Sequence, residues 1–492
     1  MTQLLPWYWK KLPLENRTGS EVFERLFYQK DTIGTLLESP ASRLGDRSPL
    51  SRYSICAGSP RLIDGKPQLW TPQVGKILPF LRSLLQKSPQ NDDSPAHLPF
   101  TGGWLGWLGY DLAWEIEKLP YLKNDPLPFP VAYWYEPASF AIIDSWEEVL
   151  WLASSDLAEC DRLQHKLAKS KVESKGSPLS PLSSTPLCPP HSPPFARGEL
   201  EGGKGNERGV KNSPKPLTFL SNQADYEEVV RRAKKYIQVG DIFQANLSLR
   251  FQTATNADSW SIYRTLQAIN PSPFASYWQS PWGAVISCSP ERLVQLQGRK
   301  AQTRPIAGTR PRGTTKELEQ RLERELLNNI KERAEHVMLV DLERNDLGRV
   351  CEWGSVQVDE LLTIERYSHV IHLVSNVCGT LQPNYDAVDL IRALFPGGTI
   401  TGCPKVRCME IIEELEPVRR SLFYGSCGYL DRRGNLDLNI FIRTLLMNHH
   451  NSIVWGQVGA GIVADSDPEK EWYESLNKAE AQLAALRLVE RS

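Results

Sequence analysis

The sequence predicts an α+β protein with a large antiparallel, sandwich-like β-sheet core flanked by helices and a smaller β-rich N-terminal domain. Runs of β-branched and aromatic residues, such as residues 140–153, are typical of strands. Further along the chain, strand-like runs at 282–290 and 452–463 alternate with helical patterns at 226–241 and 314–342. Hydrophobic residues make up 41% of the 492 residues, which is enough for a large core.

The N-terminal part, residues 1–155, is predicted to form one domain in which strands dominate. The next segment, residues 156–217, is predicted to be a disordered linker rich in Pro, Gly and Ser. Residues 176–216 hold 9 of the 36 prolines and almost no large apolar side chains, so they cannot bury enough surface to offset the entropy of ordering. Residues 218–490 are predicted to form the catalytic domain. The tryptophans expected to pack in the core are Trp104, Trp107, Trp114 and Trp134.

The composition excludes several classes of protein. A formal net charge of −1 without a long basic block argues against nucleic acid or an anionic membrane as a partner. The first residues lack the apolar core of a signal peptide, and no uncharged apolar run is long enough to span a membrane, so a cytoplasmic protein is expected. The nine cysteines form no CxxC pair and no zinc-like set, which indicates reduced thiols.

Two pairs of glutamates share the spacing E-x-x-E in segments far apart along the chain. Glu332 and Glu335 lie in one predicted helix, and Glu471 and Glu474 lie in another. Residues three apart share a helix face, so each pair places like charges where they repel by a few tenths of a kcal/mol, on the order given by helix peptides. A solvated surface explains either pair alone. Two such pairs beside apolar runs favour a site for Mg²⁺, which binds through one or two carboxylates and keeps positions for water.

Two glycine-rich segments are candidates for an anion pocket. Residues 395–407 combine three glycines with Lys405, so backbone N–H groups, hydroxyls and an ammonium can surround a negative group. A second glycine-rich loop is expected at residues 456–466, after a strand. The alternative for the first segment is a simple turn before a helix.

Three single polar residues stand in apolar runs. Arg443 is expected inside a strand, where its guanidinium needs a buried anion, either a ligand or a protein carboxylate. His372 lies in a strand-like run and is either a buried neutral side chain or an acid or base. Gln244 begins another apolar run.

These motifs together resemble the chorismate-utilising enzymes, in particular component I of anthranilate synthase and of aminodeoxychorismate synthase. The resemblance covers essentially all of residues 218–490, with several motifs in the same order. It extends to the N-terminal part through TLLESP (35–40), SRYSI (51–55) and GGWLGWLGYDL (102–112). The proline-rich segment has no counterpart in the family pattern.

The resemblance implies the role of each site residue. In the family, Mg²⁺ bridges protein carboxylates and a substrate carboxylate, which offsets charge as a hydroxyl leaves. Glu335 and Glu474 match the metal ligands, with Glu332 and Glu471 as companions. Arg443 matches the residue that clamps a substrate carboxylate. The other residues implied are His372, Thr399 and Glu291 around the reacting groups, and Gly459, Ala460, Gly461, Lys405 and Ala307 around the substrate.

The residue at position 244 indicates which nucleophile the enzyme uses. Isochorismate and salicylate synthases are similar to this chain but carry a lysine at this position, and that lysine activates water. An uncharged amide cannot act as that base, so ammonia is the expected nucleophile. Nothing in the chain resembles a glutaminase domain, so the expected source of ammonia is a separate glutamine amidotransferase subunit.

The sequence leaves two products open. Many aminodeoxychorismate synthases carry a lysine nucleophile in PIKGT, whereas this chain has PIAGT with Ala307. A methyl group cannot form the covalent adduct, which favours direct attack by ammonia at C2 and elimination of pyruvate to anthranilate. The motifs GGTITG, QANL and CSPERL are closer to the aminodeoxychorismate branch. A non-enzyme alternative is a silent paralogue that binds only chorismate or the amidotransferase, although the predicted metal carboxylates and pocket arginine are all present.

Overall fold

The computed structural model describes residues 7–39, 49–86, 94–169, 216–366 and 370–491. Two large antiparallel sheets and flanking helices form the protein, which confirms the predicted α+β class. No described helix combines the length and the hydropathy that crossing a membrane requires. The eight cysteines in the described ranges all have free thiols, as predicted.

The strands of the described residues are β1 (Tyr8–Pro13), β2 (Gly34–Glu38), β3 (Tyr53–Ala57), β4 (Leu62–Ile63), β5 (Lys66–Pro67), β6 (Leu69–Trp70), β7 (Gly103–Leu108), β8 (Ala132–Tyr135), β9 (Ser139–Asp144), β10 (Val149–Ser154), β11 (Thr218–Phe219), β12 (Gln244–Ala254), β13 (Phe274–Ser280), β14 (Gly283–Ser289), β15 (Arg292–Gln297), β16 (Lys300–Thr303), β17 (Ile306–Pro311), β18 (Gln357–Arg366), β19 (Val370–Thr380), β20 (Gly402–Cys403), β21 (Ser426–Asp431), β22 (Leu436–Asn439), β23 (Thr444–Met447) and β24 (Ile453–Ile462).

The α-helices of the same residues are α1 (Gly19–Leu26), α2 (Ile77–Leu85), α3 (Ala113–Ile116), α4 (Leu157–Lys169), α5 (Gln223–Gln238), α6 (Ser259–Ile269), α7 (Lys316–Asn328), α8 (Ile330–Gly348), α9 (Ala387–Leu394), α10 (Lys405–Leu415) and α11 (Pro468–Arg491).

Strands from both ends of the chain share the two large sheets. In the first sheet the order is β1-β10-β9-β3-β2-β13-β14-β23-β24-β12-β11, with β20 also paired to β12. In the second sheet the order is β17-β19-β16-β15-β22-β21-β7-β8-β6, with β18 also paired to β19. The junctions are β2 with β13 and β7 with β21, each antiparallel. The division into an N-terminal and a catalytic domain stays a prediction, since the two parts are continuous at the level of sheet hydrogen bonds.

Aromatic side chains fill the core that includes the β7–β8 hairpin. Trp104, Trp107 and Trp134 are fully buried, as the sequence predicts, and Trp114 packs partly buried against the same core. Each buried aromatic ring removes roughly 150–250 Å² from water, worth roughly 4–6 kcal/mol before the entropy of ordering is subtracted. This core contains buried residues from both parts of the chain.

The predicted start of the linker is wrong. Residues 157–169 form helix α4, because Cys160, Leu163 and Leu167 recur at helical spacing and are buried in the second core. The composition of the following proline-rich segment does not extend back into this helix. Residues 170–215, which include most of the predicted linker, lie outside the described residues.

Candidate active site

A cavity of about 820 Å³ lies where strands β12, β17, β19 and β24 face helices α8 and α11. It brings together residues that are up to 236 positions apart along the chain, because the strands and helices that carry them cross here. The predicted site residues that line it are Gln244, Glu291, Ala307, Glu332, Glu335, His372, Thr399, Arg443, Gly459, Gly461, Glu471 and Glu474.

Two of the predicted site residues are placed differently. Lys405 does not line the cavity; its ammonium forms a salt bridge with Asp346 and donates to the Leu394 carbonyl at 2.9 Å. The role of Lys405 in substrate binding stays a prediction, and in this structure a buried carboxylate neutralises its ammonium. Ala460 is buried in the core on the other face of β24, since neighbouring residues of a strand point to opposite faces.

Helix α8 presents the first acidic pair. The predicted helical run breaks at Asn329, whose side chain accepts a hydrogen bond from the Glu332 amide at 3.0 Å and so begins α8 there. Glu335 accepts from Gln244 Nε2 at 3.0 Å. Burial raises the pKa of Glu335, the hydrogen bond from Gln244 lowers it, and the charge of Glu474 raises it further.

Helix α11 presents the second pair from the opposite side. Glu471 is buried, and burial together with the nearby Glu474 charge raises its pKa, while a hydrogen bond from Ser466 opposes the shift. Glu474 is more exposed and forms a salt bridge with Lys478 at 2.9 Å. The two helices therefore place Glu335, Glu471 and Glu474 near enough for their charges to interact.

Glu332 differs from the other three acids. Its Oε1 accepts from Arg310 at 2.8 Å, so its charge is already neutralised. Its Oε2 is buried, and no described residue donates to it. The sequence did not predict the pairing with Arg310.

The described residues contain no ready-made group of three or more His, Cys, Asp or Glu side chains at metal-binding distances. The chemistry of the acids nevertheless fits a hard cation, because the pKa values of Glu335 and Glu471 are raised partly by the charge of Glu474, which a cation would offset. Two carboxylates with water are a usual ligand set for Mg²⁺. These glutamates thus fit a Mg²⁺ site in which Glu335 and Glu474 are the ligands, rather than one in which all four carboxylates coordinate the ion.

Arg443 is a half-buried cation without a protein anion. It lies just before β23 rather than inside a strand, with φ at 52°, a conformation that non-glycine residues rarely adopt. Burial lowers the pKa of its guanidinium, and no described carboxylate or hydrogen-bond acceptor opposes that shift. A protein carboxylate was one of the two predicted partners, and the described residues supply none, so the guanidinium suits a carboxylate ligand.

His372 lies in β19, and its Nδ1 is 2.9 Å from the Thr309 hydroxyl. Burial and the Arg443 charge lower the pKa of His372 to about 4. The imidazole is therefore neutral at pH 7. It can accept a proton or form hydrogen bonds, but it is not a general acid at that pH.

Glu291, just after β14, is a buried acid that lines the cavity. Burial raises the pKa of Glu291 to about 8, the nearby Glu343 charge adds to the shift, and the adjacent Thr399 hydroxyl and Ile306 amide reduce the shift. Glu291 is thus largely protonated at pH 7. A carboxylic acid held neutral in this way is suited to donate a proton to a leaving group.

The two glycine-rich segments contribute in different ways. Thr399 lies in the turn Gly398–Ile400 and lines the cavity. The predicted second loop is instead part of β24, because residues 457–462 pair with β12. Gly459 accepts from Lys478 Nζ at 2.9 Å through its carbonyl, which therefore points away from β12. In an antiparallel strand the amide of the same residue points to the same side, so the Gly459 N–H also faces the cavity.

Several lining residues carry no signal in the sequence. Asn246 lies two positions after Gln244 in β12, and Thr309 orients His372. Arg310 holds Glu332, and Gln457 donates to Ser248 at 2.6 Å behind the cavity wall. The alternation of side chains along a strand could have identified Asn246 from the position of Gln244.

We expect Arg443→Met to weaken chorismate binding by about a hundredfold, since a charged hydrogen-bonded pair contributes about 1.5–3 kcal/mol. Removing a buried unpaired cation should not lower the melting temperature of the ligand-free protein. Calorimetric titration with chorismate and thermal melting measure the two effects. Unchanged affinity would contradict the role of Arg443, and Arg407→Met, outside the cavity, is the matched control.

The fold and the cavity define a class of protein, and comparison with known sequences identifies it. Residues 46–484 match the model of the chorismate binding enzyme family. The chain therefore belongs to the chorismate-binding enzymes, and it is a chorismate-utilising enzyme.

The relatives carry two different names. The chain is 59% identical to an anthranilate synthase component I-like protein of Synechocystis sp., over 99% of this chain and 93% of the relative. It is 40% identical to aminodeoxychorismate synthase component 1 of Bacillus subtilis, over 98% of this chain and 97% of the relative. It is 43% identical to anthranilate synthase component 1 of the same Synechocystis, over 80% of this chain and 77% of the relative.

A solved structure has the same fold over nearly the whole chain. The crystal structure of anthranilate synthase component I from Streptococcus pneumoniae superposes with a TM-score of 0.69 at 29% identity, over 96% of this chain and 98% of that one. The predicted family resemblance is confirmed by the family match and by these relatives.

Proposed function

We propose that this chain catalyses the Mg²⁺-dependent amination of chorismate with ammonia. The observation that carries the proposal is the pairing, in one cavity, of an orphan guanidinium with a protonated buried carboxyl group. Chorismate offers a carboxylate for Arg443 and a hydroxyl that must leave. The proposal accounts for both groups, since neither the guanidinium nor the carboxyl group has an oppositely charged partner among the described residues.

The chain's own residues supply binding and proton transfer. Arg443 holds a substrate carboxylate and thereby orients the ring. Glu291 donates its proton to the departing hydroxyl, so the C–O bond breaks and water leaves while a C–N bond forms. The new ammonium group then releases one proton, which restores the Glu291 carboxyl. Neutral His372 hydrogen-bonds groups at the ring without adding charge.

Glu335 and Glu474 would hold Mg²⁺, with Glu471 beside them. When bound, the ion offsets the charge of a substrate carboxylate and of the acids themselves. Glu332 supports this arrangement from its ion pair with Arg310. The raised pKa values of Glu335 and Glu471 support the proposal, because a bound cation would favour their charged forms.

The nucleophile is ammonia, supplied by a separate glutamine amidotransferase subunit. Gln244 stands where a base would be needed to activate water, and its amide cannot accept a proton at neutral pH. Ammonia attacks without such a base. Among the relatives, the designation component I or component 1 is consistent with a partner subunit.

Gln244→Lys is expected to divert part of the flux from ammonia to water, giving a hydroxylated product beside the aminated one, because a lysine in this place can act as a base. The measurement is product analysis by liquid chromatography at fixed chorismate and ammonium. Gln244→Met, which cannot accept a proton, is the control. A product ratio identical in wild type and Gln244→Lys would rule out this role of Gln244.

Anthranilate is the first candidate product. Ala307 lines the cavity with a methyl group and cannot form a covalent adduct with the ring, which leaves direct attack by ammonia at C2. The aminated ring then eliminates pyruvate, so chorismate and ammonia give anthranilate, pyruvate and water.

Aminodeoxychorismate is the second candidate, and one full-length relative supports it, the aminodeoxychorismate synthase of Bacillus subtilis. The Synechocystis protein at 59% identity is distinct from that organism's anthranilate synthase component 1, which is 43% identical. A second related protein in one organism is compatible with a second product, but the 59% identical protein is itself named anthranilate synthase component I-like.

One experiment tests the proposal and separates the products. Purified protein is incubated with chorismate, Mg²⁺ and ammonium, and anthranilate is followed by its fluorescence. If none forms, aminodeoxychorismate lyase is added and p-aminobenzoate is measured. Neither product, in the presence of measurable chorismate binding, would overturn the proposed amination.

A further inference from the structure

The start of strand β12 places two amide side chains side by side in the cavity. Gln244 and Asn246 are two residues apart, so they project from the same face of the strand. Gln244 is 3% exposed and Asn246 is 9% exposed, and both line the cavity. Two nearly buried amides at one end of a reaction cavity need an explanation in terms of their hydrogen bonds.

The amide nitrogens are both committed to protein acceptors. Gln244 Nε2 donates to Glu335 Oε1 at 3.0 Å, and Asn246 Nδ2 donates to the Thr399 carbonyl at 3.3 Å. Because each nitrogen already donates to a protein acceptor, the oxygen of each amide is the atom that can still accept a hydrogen bond. In the described part of the chain, no group donates to Gln244 Oε1 or to Asn246 Oδ1.

The facing strand leaves this end of the cavity open. Gly461 is the partner of Asn246 in the β12–β24 ladder. A Cβ atom added to Gly461 would lie 2.3 Å from Gln244 Nε2 and 3.3 Å from Glu335 Oε1, so a side chain there would displace the Gln244–Glu335 contact. Glycine at this position therefore preserves the orientation of the Gln244 amide. The two acceptor oxygens are buried and have no donor among the described residues, so a small molecule that brings hydrogen-bond donors would satisfy them.

We propose that Gln244 and Asn246 together form the binding subsite of the ammonia nucleophile, an inference that rests on the proposed amination. Ammonia has three N–H donors and one lone pair. When two N–H groups are donated to Gln244 Oε1 and Asn246 Oδ1, the orientation of the molecule is fixed and the lone pair remains free to form the C–N bond. One acceptor alone would leave the lone pair free to rotate away from the ring.

The same pair explains why water is a poor nucleophile here. Water must lose a proton as it attacks, and an amide oxygen does not accept that proton at neutral pH. Ammonia forms the bond first and releases its proton afterwards. Asn246 is thus a specificity-determining residue that acts beside Gln244.

The test compares two substitutions at Asn246 that both remove the hydrogen bond to Thr399. Asn246→Leu also removes the acceptor oxygen, whereas Asn246→Asp keeps it. We expect Asn246→Leu to raise the KM for ammonium about tenfold, the loss of about one hydrogen bond to a small ligand. We expect the KM for chorismate to change less than about twofold, since Asn246 is not assigned to that substrate. Asn246→Asp should retain an ammonium KM near that of the wild type.

Three results would overturn the subsite: an unchanged ammonium KM in Asn246→Leu, an equal rise in both KM values, or Asn246→Asp behaving as Asn246→Leu does. Asn477→Leu, the same change at the exposed mouth of the cavity, is the matched control. If Asn246→Leu melts far below the wild type, Asn246→Ala takes its place in the comparison with Asn246→Asp. A wild type that binds chorismate but never aminates it would overturn the proposed function as well, so the two failures are distinguishable.

Discussion

Replacing Glu335 or Glu474 with glutamine is expected to lower Mg²⁺-dependent turnover of chorismate by at least about a thousandfold, because a metal ion supplies several kcal/mol of charge stabilisation and each 1.4 kcal/mol is about tenfold in rate. Each substitution removes one negative charge and leaves a weaker ligand of the same shape. The measurement is the initial rate of product formation across a titration of Mg²⁺. A rate within a few fold of the wild type would contradict the metal assignment.

Glu480→Gln is the matched control for these two substitutions. Glu480 lies on the same helix α11 and lines the same cavity, but it is exposed and has no assigned role. The same change of charge there should leave turnover and its dependence on Mg²⁺ nearly unaltered. Loss of activity in all three variants would indicate a general effect of charge on the cavity rather than metal binding.

A second measurement on Glu335→Gln distinguishes loss of metal binding from loss of the fold. Burial and the Glu474 charge raise the pKa of Glu335 above its ordinary value, so folding disfavours its charged form. That penalty is absent at pH values below the unfolded pKa, grows as the pH rises from the unfolded pKa to the folded pKa, and is complete above the folded pKa. At pH 7 the metal-free Glu335→Gln protein should therefore melt no lower than the wild type. Mg²⁺ should stabilise only the wild type.

Replacing Glu291 with glutamine is expected to lower kcat by about a hundred- to ten-thousandfold, the usual contribution of a positioned general acid. Glutamine keeps the size of the side chain but cannot give a proton to the departing hydroxyl. Steady-state kinetics at saturating chorismate and ammonium measure this effect. A kcat close to that of the wild type would show that Glu291 is not the acid.

The pH dependence of kcat is a second test of the role of Glu291. Because the pKa of Glu291 is raised to about 8, its acid form is available below that pH and is lost as the pH rises through it. The wild-type kcat should therefore fall on the alkaline side near pH 8, and Glu291→Gln should lack that limb. The source of ammonia must be held at constant free ammonia, since the ammonium equilibrium also shifts with pH.

Glu343→Gln is the companion variant for this profile. Glu343 is buried outside the cavity, and its charge contributes to the raised pKa of Glu291. Its removal should lower the pKa of Glu291 and move the alkaline limb to lower pH, with the limb still present. A limb that stays in place would indicate that another group is responsible for it.

Much of the secondary structure could be predicted from local patterns. The strands at 139–144, 149–154 and 283–289 and the helices α5 and α10 follow hydrophobic periodicity closely. Helix α4 was missed because the proline-rich composition that follows it dominated the assignment of residues 156–217. The Gly-rich run in β24 was predicted as a loop, since glycine is usually unfavourable in a strand. Its glycines are accommodated because Gly459 and Gly461 pack directly against Leu247 and Gln244.

The sequence predicted which residues form the site, but it did not predict which side chains they pair with. The two E-x-x-E pairs and Arg443 stood out because charge in or beside an apolar run is costly unless something compensates it. Their actual partners were not predictable. Glu332 pairs with Arg310, Lys405 pairs with Asp346, and the pKa of Arg443 is shifted by burial alone, with no described partner. Each of these outcomes depends on which side chain is nearest in space.

The sequence by itself determined the class of the chain, because ordered motifs and residue types persist without any knowledge of how strands pair. It also predicts that ammonia is favoured over water, since an amide at position 244 is not a base. Only the tertiary structure decided which charges are free for a ligand and which proton donor is available. Burial and neighbouring charge set the pKa of Glu291 and leave Arg443 and the amide oxygens unpaired, and both effects arise from contacts between segments far apart in the chain.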